Sequence, residues 1–135
     1  NLTSNDVILG ISGAEHPFKT YMEYGVPLTI STDDEGVSRI DLTNEYSRAV
    51  TEYDLDYKTI RSLSRNAIQY SFLQGAPLFK DTLTGEVIDE CSEDKNTDEE
   101  ILTDRCEHFL STSSKARMQW QLEQKISLFE QAVRI

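Results

Sequence analysis

Residues Val26 to Thr32 form an apolar, β-prone run, Val-Pro-Leu-Thr-Ile-Ser-Thr, that ends in the paired acids Asp33-Asp34. Gly25 bounds the run upstream and Glu35-Gly36 downstream, which predicts a buried strand over 26–32. Two like charges at a strand's mouth repel. The arrangement therefore calls for a compensating cation, or for one carboxyl that keeps its proton. Proteins built from parallel strands concentrate their chemistry at the strands' C-terminal ends, where this pair falls.

Two strands and several helices are expected around this run. Leu2-Thr3-Ser4-Asn5 reads as the tail of a strand and Asp6 to Gly13 as a loop. A short helix follows over Glu15 to Tyr24, with Pro17 at its start and Gly25 past its end. Glu35 to Arg39 reads as a loop. Leu42, Tyr46, Ala49, Val50 and Tyr53 recur at helical spacing, with Asp41 or Thr43 as cap. Asp56 is a plausible cap for a second such helix, reaching Phe72, with Ile60, Leu63, Ala67, Ile68 and Phe72 as its stripe. Gln74 to Ser113 reads as irregular and acidic, with a hairpin-like Leu83-Thr84-Gly85-Glu86-Val87. Ser114 to Val133 predicts a final helix whose apolar face is Met118, Leu122, Ile126, Phe129 and Val133. Two strands cannot close a sheet by themselves, so a longer protein is expected, with this chain as its C-terminal portion.

The 135 residues carry 13 basic and 24 acidic side chains, a net charge of −11. That balance argues against nucleic acid as a partner, because phosphate binding needs clustered Lys and Arg. No apolar run approaches the length that spans a bilayer. The acidity is concentrated in Asp89, Glu90, Glu93, Asp94, Asp98, Glu99, Glu100, Asp104 and Glu107, which read as a solvated loop. The ligand spacing of a calcium loop is missing from it. Cys91 and Cys106 flank the stretch in no metal-ligand spacing. A bridge between them would close a loop of about 15 residues, stabilise by roughly 3 kcal/mol, and imply an oxidising compartment.

Several of these segments, taken together and in order, resemble the last third of the adenosine deaminase family of zinc hydrolases. They are Thr3-Ser4-Asn5, His16-Pro17, Gly25-Val26-Pro27, Ser31-Thr32-Asp33-Asp34, Leu42-Thr43-Asn44-Glu45-Tyr46, and Arg65-Asn66-Ala67-Ile68 with Ser71-Phe72-Leu73. The resemblance covers about residues 1 to 74. Cys91, Cys106, Phe109-Leu110, Lys115-Ala116 and Gln119-Trp120-Gln121-Leu122-Glu123 resemble a bacterial exported branch of the family. Periplasmic or secreted localisation is implied, with cytoplasmic as the alternative.

The resemblance implies an α/β fold, the C-terminal fragment of a (β/α)8 TIM barrel. Residues 1–74 would be its last two β/α units, 75–113 an acidic irregular insertion, and 114–135 a helix packing on the barrel. It implies Zn2+ as cofactor, with Asp33 as the last metal ligand and Asp34 facing the purine ring. The ring nitrogen there offers only a lone pair, so either Asp34 is protonated and donates, or the ring itself carries the proton. Ser4 and Asn5 would support the site from beside it. The implied reaction is hydrolytic deamination of adenosine, in which zinc activates a water for attack on the amine-bearing carbon. A His-x-His pair, a further His ligand, a catalytic Glu and a catalytic His are expected upstream, in the missing N-terminal part of the same protein. The chain alone is expected to be inactive.

His16 and His108 do not replace those groups, and both read as surface or loop histidines. After the acids this chain has Glu35-Gly36-Val37-Ser38-Arg39 where many members carry a proline and a bulky apolar residue. Ser38 and Arg39 are therefore candidates to touch a substrate, and a different purine is the alternative to adenosine. A binding or signalling relative that kept the fold without catalysis is the other open reading.

Overall fold

The computed structural model describes residues 1–94 and 102–133, and the chain divides into two units, Asn1–Ala67 and Ile68–Ile135. The first unit opens with helix α1 (Leu2–Leu9), then a 3-10 turn at Gly13–Glu15, α2 (Phe18–Glu23), the short α3 (Glu35–Ser38), α4 (Leu42–Tyr53) and the start of α5 (Tyr57–Gln69). The second contains β1 (Phe79–Asp81), β2 (Glu86–Val87), a 3-10 turn at Asp89–Cys91, α6 (Asp104–Thr112) and α7 (Ser114–Val133). The architecture is mostly helical, with one two-stranded antiparallel sheet. None of the described helices is long and apolar enough to cross a membrane.

The locally encoded helices form where their caps place them. The Asp41 carboxylate accepts from Asn44 N at 2.8 Å and opens α4. Asp56 accepts from Thr59 N at 2.8 Å and opens α5. These bonds satisfy amide groups that the first turn leaves without partners. Helix α5 stops at Gln69, three residues short of the expected Phe72. Gly25, at φ 68°, closes α2 in the left-handed conformation, with Gly25 N donating to Met22 O and Val26 N to Tyr21 O, both at 2.9 Å.

Three expectations are corrected. The segment read as a strand tail at Leu2–Asn5 is the first turn of α1, which also takes in Asp6 to Leu9. The predicted strand over Val26–Thr32 has no regular secondary structure and no ladder partner among the described residues. Ile30 is nonetheless buried in the first core, with Leu2, Phe18, Ala49 and Leu63. Asn66 Nδ2 holds the Leu28 carbonyl at 2.9 Å, as a sheet neighbour otherwise would. Glu35 to Ser38 is a helical turn, not a loop.

The second unit is more ordered than an acidic loop. Thr103 caps α6, and buried Asp94 accepts from both Thr103 N (2.7 Å) and Thr103 Oγ1 (2.8 Å). Asp98, Glu99 and Glu100 lie outside the described residues. A disulfide joins Cys91 to Cys106, with the Cα atoms 4.7 Å apart. Both cysteines sit in a core with Leu78, Phe79, Val87, Leu110 and Ala116. In the hairpin Phe79 pairs with Val87, and the irregular register toward Asp81 is closed by Leu83 N donating to the Asp81 carboxylate.

Helix α7 spans the expected residues, and of its expected apolar face Leu122 and Ile126 are half-buried. Ala116 and Gln119 point inward, while Met118, Phe129 and Val133 are exposed. The reason is polar. Gln119 Oε1 accepts from Leu78 N at 2.7 Å, and its Nε2 donates to Gln69 Oε1 at 2.6 Å. A buried amide needs those partners more than an exposed Met needs cover.

Gly75 has φ 101°, and a Cβ there would collide with Ser113 Oγ and lie 2.6 Å from Ser113 Cα. Ser113 cannot yield, since its hydroxyl donates to Ala76 O at 2.6 Å and accepts from Ala116 N at 3.0 Å. Gly75→Ala is expected to destabilise the protein by about 3 kcal/mol, from backbone strain and overpacking together. Denaturant titration checks it, and a midpoint unchanged from wild type would contradict the packing described.

Candidate active site

The two acids of the Val26–Asp34 segment sit where the chain leaves that segment and enters α3. Asp33 takes the left-handed conformation, φ 57°, which a residue with a side chain adopts at a cost and Asp tolerates better than most. Its Oδ2 accepts a hydrogen bond from Ser4 Oγ at 2.8 Å. Among the described residues its Oδ1 accepts none. Asp34 stands at the N-cap position of α3, but its carboxyl makes no capping bond. The backbone carbonyl of Asp34 instead receives Val37 N (3.1 Å) and Ser38 N (2.9 Å). Both acids are exposed.

Helix α1 presents three successive residues to three different partners. Ser4 meets Asp33. Thr3 N donates to both carboxylate oxygens of Glu45, at 3.2 and 3.3 Å. The Asn5 side-chain amide faces His16 Nε2 at 2.8 Å. His16 is buried, not the surface or loop histidine expected. Its Nδ1 accepts from Phe18 N at 3.1 Å, so the imidazole caps α2. Burial pushes its pKa below the ordinary histidine value. With Nδ1 accepting, a neutral ring carries its proton on Nε2, the nitrogen that faces the Asn5 side-chain amide. An imidazole just ahead of Pro17 and a helix start is the sequence signal for this role.

Helix α4 backs the arrangement. Arg48 pairs with Asp6 at 2.7 Å and with Glu52 at 2.6 Å, and its Nη1 donates to Thr3 Oγ1 at 3.3 Å. Glu52 receives Gly13 N, and Tyr53 OH donates to Gly13 O. Glu45 is fully buried. The sequence marks it only as part of the Leu42–Tyr46 motif and carries no signal of its bond to α1.

A carboxylate with one oxygen held by a hydroxyl and the other free suits a single position in a zinc site. Among the described residues no group of three or more His, Cys, Asp or Glu could hold a metal. The donor chemistry of Asp33 fits one ligand of such a set. Ser38 and Arg39 end α3, with Arg39 at φ 51°. His108 lies on α6, in the other unit.

The adenosine deaminase family profile matches residues 4–89. Aminodeoxyfutalosine deaminase of Streptomyces avermitilis is 40% identical over 62 residues, 46% of this chain and 17% of that protein. Adenosine deaminase of Escherichia coli strain SE11 is 37% identical over 73 residues, 53% of this chain and 22% of that protein. Adenosine deaminase of Shewanella loihica is 39% identical over 59 residues, 44% of this chain and 18% of that protein. The matches thus span about a fifth of the length of these relatives. No solved structure matches the chain.

Proposed function

Because this chain belongs to the adenosine deaminase family, we propose that it supplies part of the active site of a zinc-dependent enzyme that hydrolyses adenosine to inosine and ammonia. The observation that carries the reading is the Asp33 carboxylate, set by a left-handed backbone and steadied by Ser4. The polypeptide outside this chain would contribute the remaining zinc ligands and the last strands' neighbours in a (β/α)8 barrel. Zinc, when bound, activates water for attack on the carbon that bears the amine.

The residues of this chain do the positioning. Ser4 Oγ donates to Asp33 Oδ2 and so holds the rotation of the carboxyl, leaving Oδ1 as the atom that would take a metal. Asp34, whose carboxyl makes no capping bond, would face a purine ring nitrogen and donate a hydrogen bond from its O–H to that lone pair. The chain by itself, with one ligand, is inactive. The buried Cys91–Cys106 bridge supports an oxidising compartment, periplasmic or secreted.

A second substrate has a specific observation behind it, the aminodeoxyfutalosine deaminase relative at 40% identity. The α3 turn with Ser38 and Arg39 is where such a difference would be read. Ultraviolet absorbance of the zinc-loaded full-length protein with adenosine, and with aminodeoxyfutalosine, separates the two. Asp34→Asn keeps a donor and is expected to retain at least about tenfold more activity than Asp34→Ala, the worth of one good hydrogen bond. Equal losses would remove the donor role. Absence of adenosine turnover by the folded, metal-loaded protein would assign the site to another amine.

A further inference from the structure

We propose that Glu45 is a positioning residue for Asp33, acting through the first turn of α1. Helix α1 starts without a side-chain cap of its own, since Asn1 makes no capping bond. Glu45 takes over that duty from 42 residues away, both its oxygens on Thr3 N. A carboxylate at a helix N-terminus meets an amide without an intrahelical partner and the positive end of the helix dipole, so the contact is favourable. Glu45 is fully buried, so water cannot substitute for it. Thr3 is held a second time by Arg48, and Asn5 is tied to His16. Ser4 lies between these two anchored residues, and its hydroxyl bonds Asp33. Releasing Thr3 frees the turn, and the Ser4 hydroxyl loses its fixed aim.

This inference rests on Asp33 holding the metal, and the experiment separates the two. Zinc release to excess chelator is timed in the zinc-loaded full-length protein. Ser4→Ala is expected to release zinc about tenfold faster, in line with the loss of a residue that orients a ligand. Glu45→Gln, matched in volume, is expected to release it several-fold faster. The double variant is expected to match Ser4→Ala alone, because both act on one bond. Glu45→Asp keeps the charge, shortens the reach by one methylene and should move release in the same direction. A purely structural Glu45 gives effects that multiply with Ser4→Ala, and that result overturns the proposal, as does wild-type release from Glu45→Gln. If Asp33→Ala itself holds zinc as wild type does, the ligand assignment falls, and the Glu45 proposal falls with it.

Discussion

Asp33→Ala in the full-length protein is expected to lower adenosine turnover by about three orders of magnitude, roughly 4 kcal/mol of barrier, and to leave zinc sub-stoichiometric after dialysis. Stability should change little. Asp33 is exposed, and among the described residues its carboxyl bonds the Ser4 hydroxyl alone. The left-handed backbone at φ 57° costs Ala about 1 kcal/mol more than it costs Asp. Asp33→Asn, which tolerates that backbone and still accepts from Ser4, separates conformation from ligation. It should melt like wild type and lose activity nearly as far as Ala. An alanine variant with full zinc content and activity within tenfold of wild type would remove Asp33 from the site.

The second large effect belongs to the disulfide. Replacing Cys91 and Cys106 together by Ala should lower the opening free energy of α6 and α7 by about 3 kcal/mol, the cost of releasing a loop of about 15 residues. Amide hydrogen exchange in the full-length protein reads this locally. The bridge closes the hydrophobic cluster that includes Leu78, Phe79, Val87 and Leu110, so the same loss should appear in the β1–β2 hairpin. Both cysteines are fully buried. Thiol exchange requires access, so mild reductant should act slowly on the folded protein and quickly once it is unfolded. Exchange unchanged in the double variant would show that the core holds without the covalent link.

Helices α4 and α5 were legible because their signals are local. Asp41 and Asp56 cap their own first turns, and apolar spacing marks α4 and α5 within a dozen residues. Helix α6 was missed because its acidic residues outweighed its cap. Thr103 and the apolar pair Phe109-Leu110 acquire meaning only when Cys106 is tied to Cys91. The face of α7 was misread in part because hydropathy ranks Met118 above Gln119, whereas the fold needs an amide there for Leu78 N.

By itself the sequence determined the caps, the left-handed closure at Gly25, the cysteine pair and the adjacency of Asp33 and Asp34, all set by residues a few positions apart or by side-chain chemistry. Tertiary structure alone decided that Leu2–Asn5 winds into a helix, since the group that caps it, Glu45, is 42 residues downstream. It also decided that Ser4 meets Asp33 and that His16 is buried against Asn5. The physical reason is the range of the forces. Backbone propensity and capping act within a turn or two. A buried carboxylate or imidazole takes whichever partner packing brings to it, and desolvation makes that pairing obligatory.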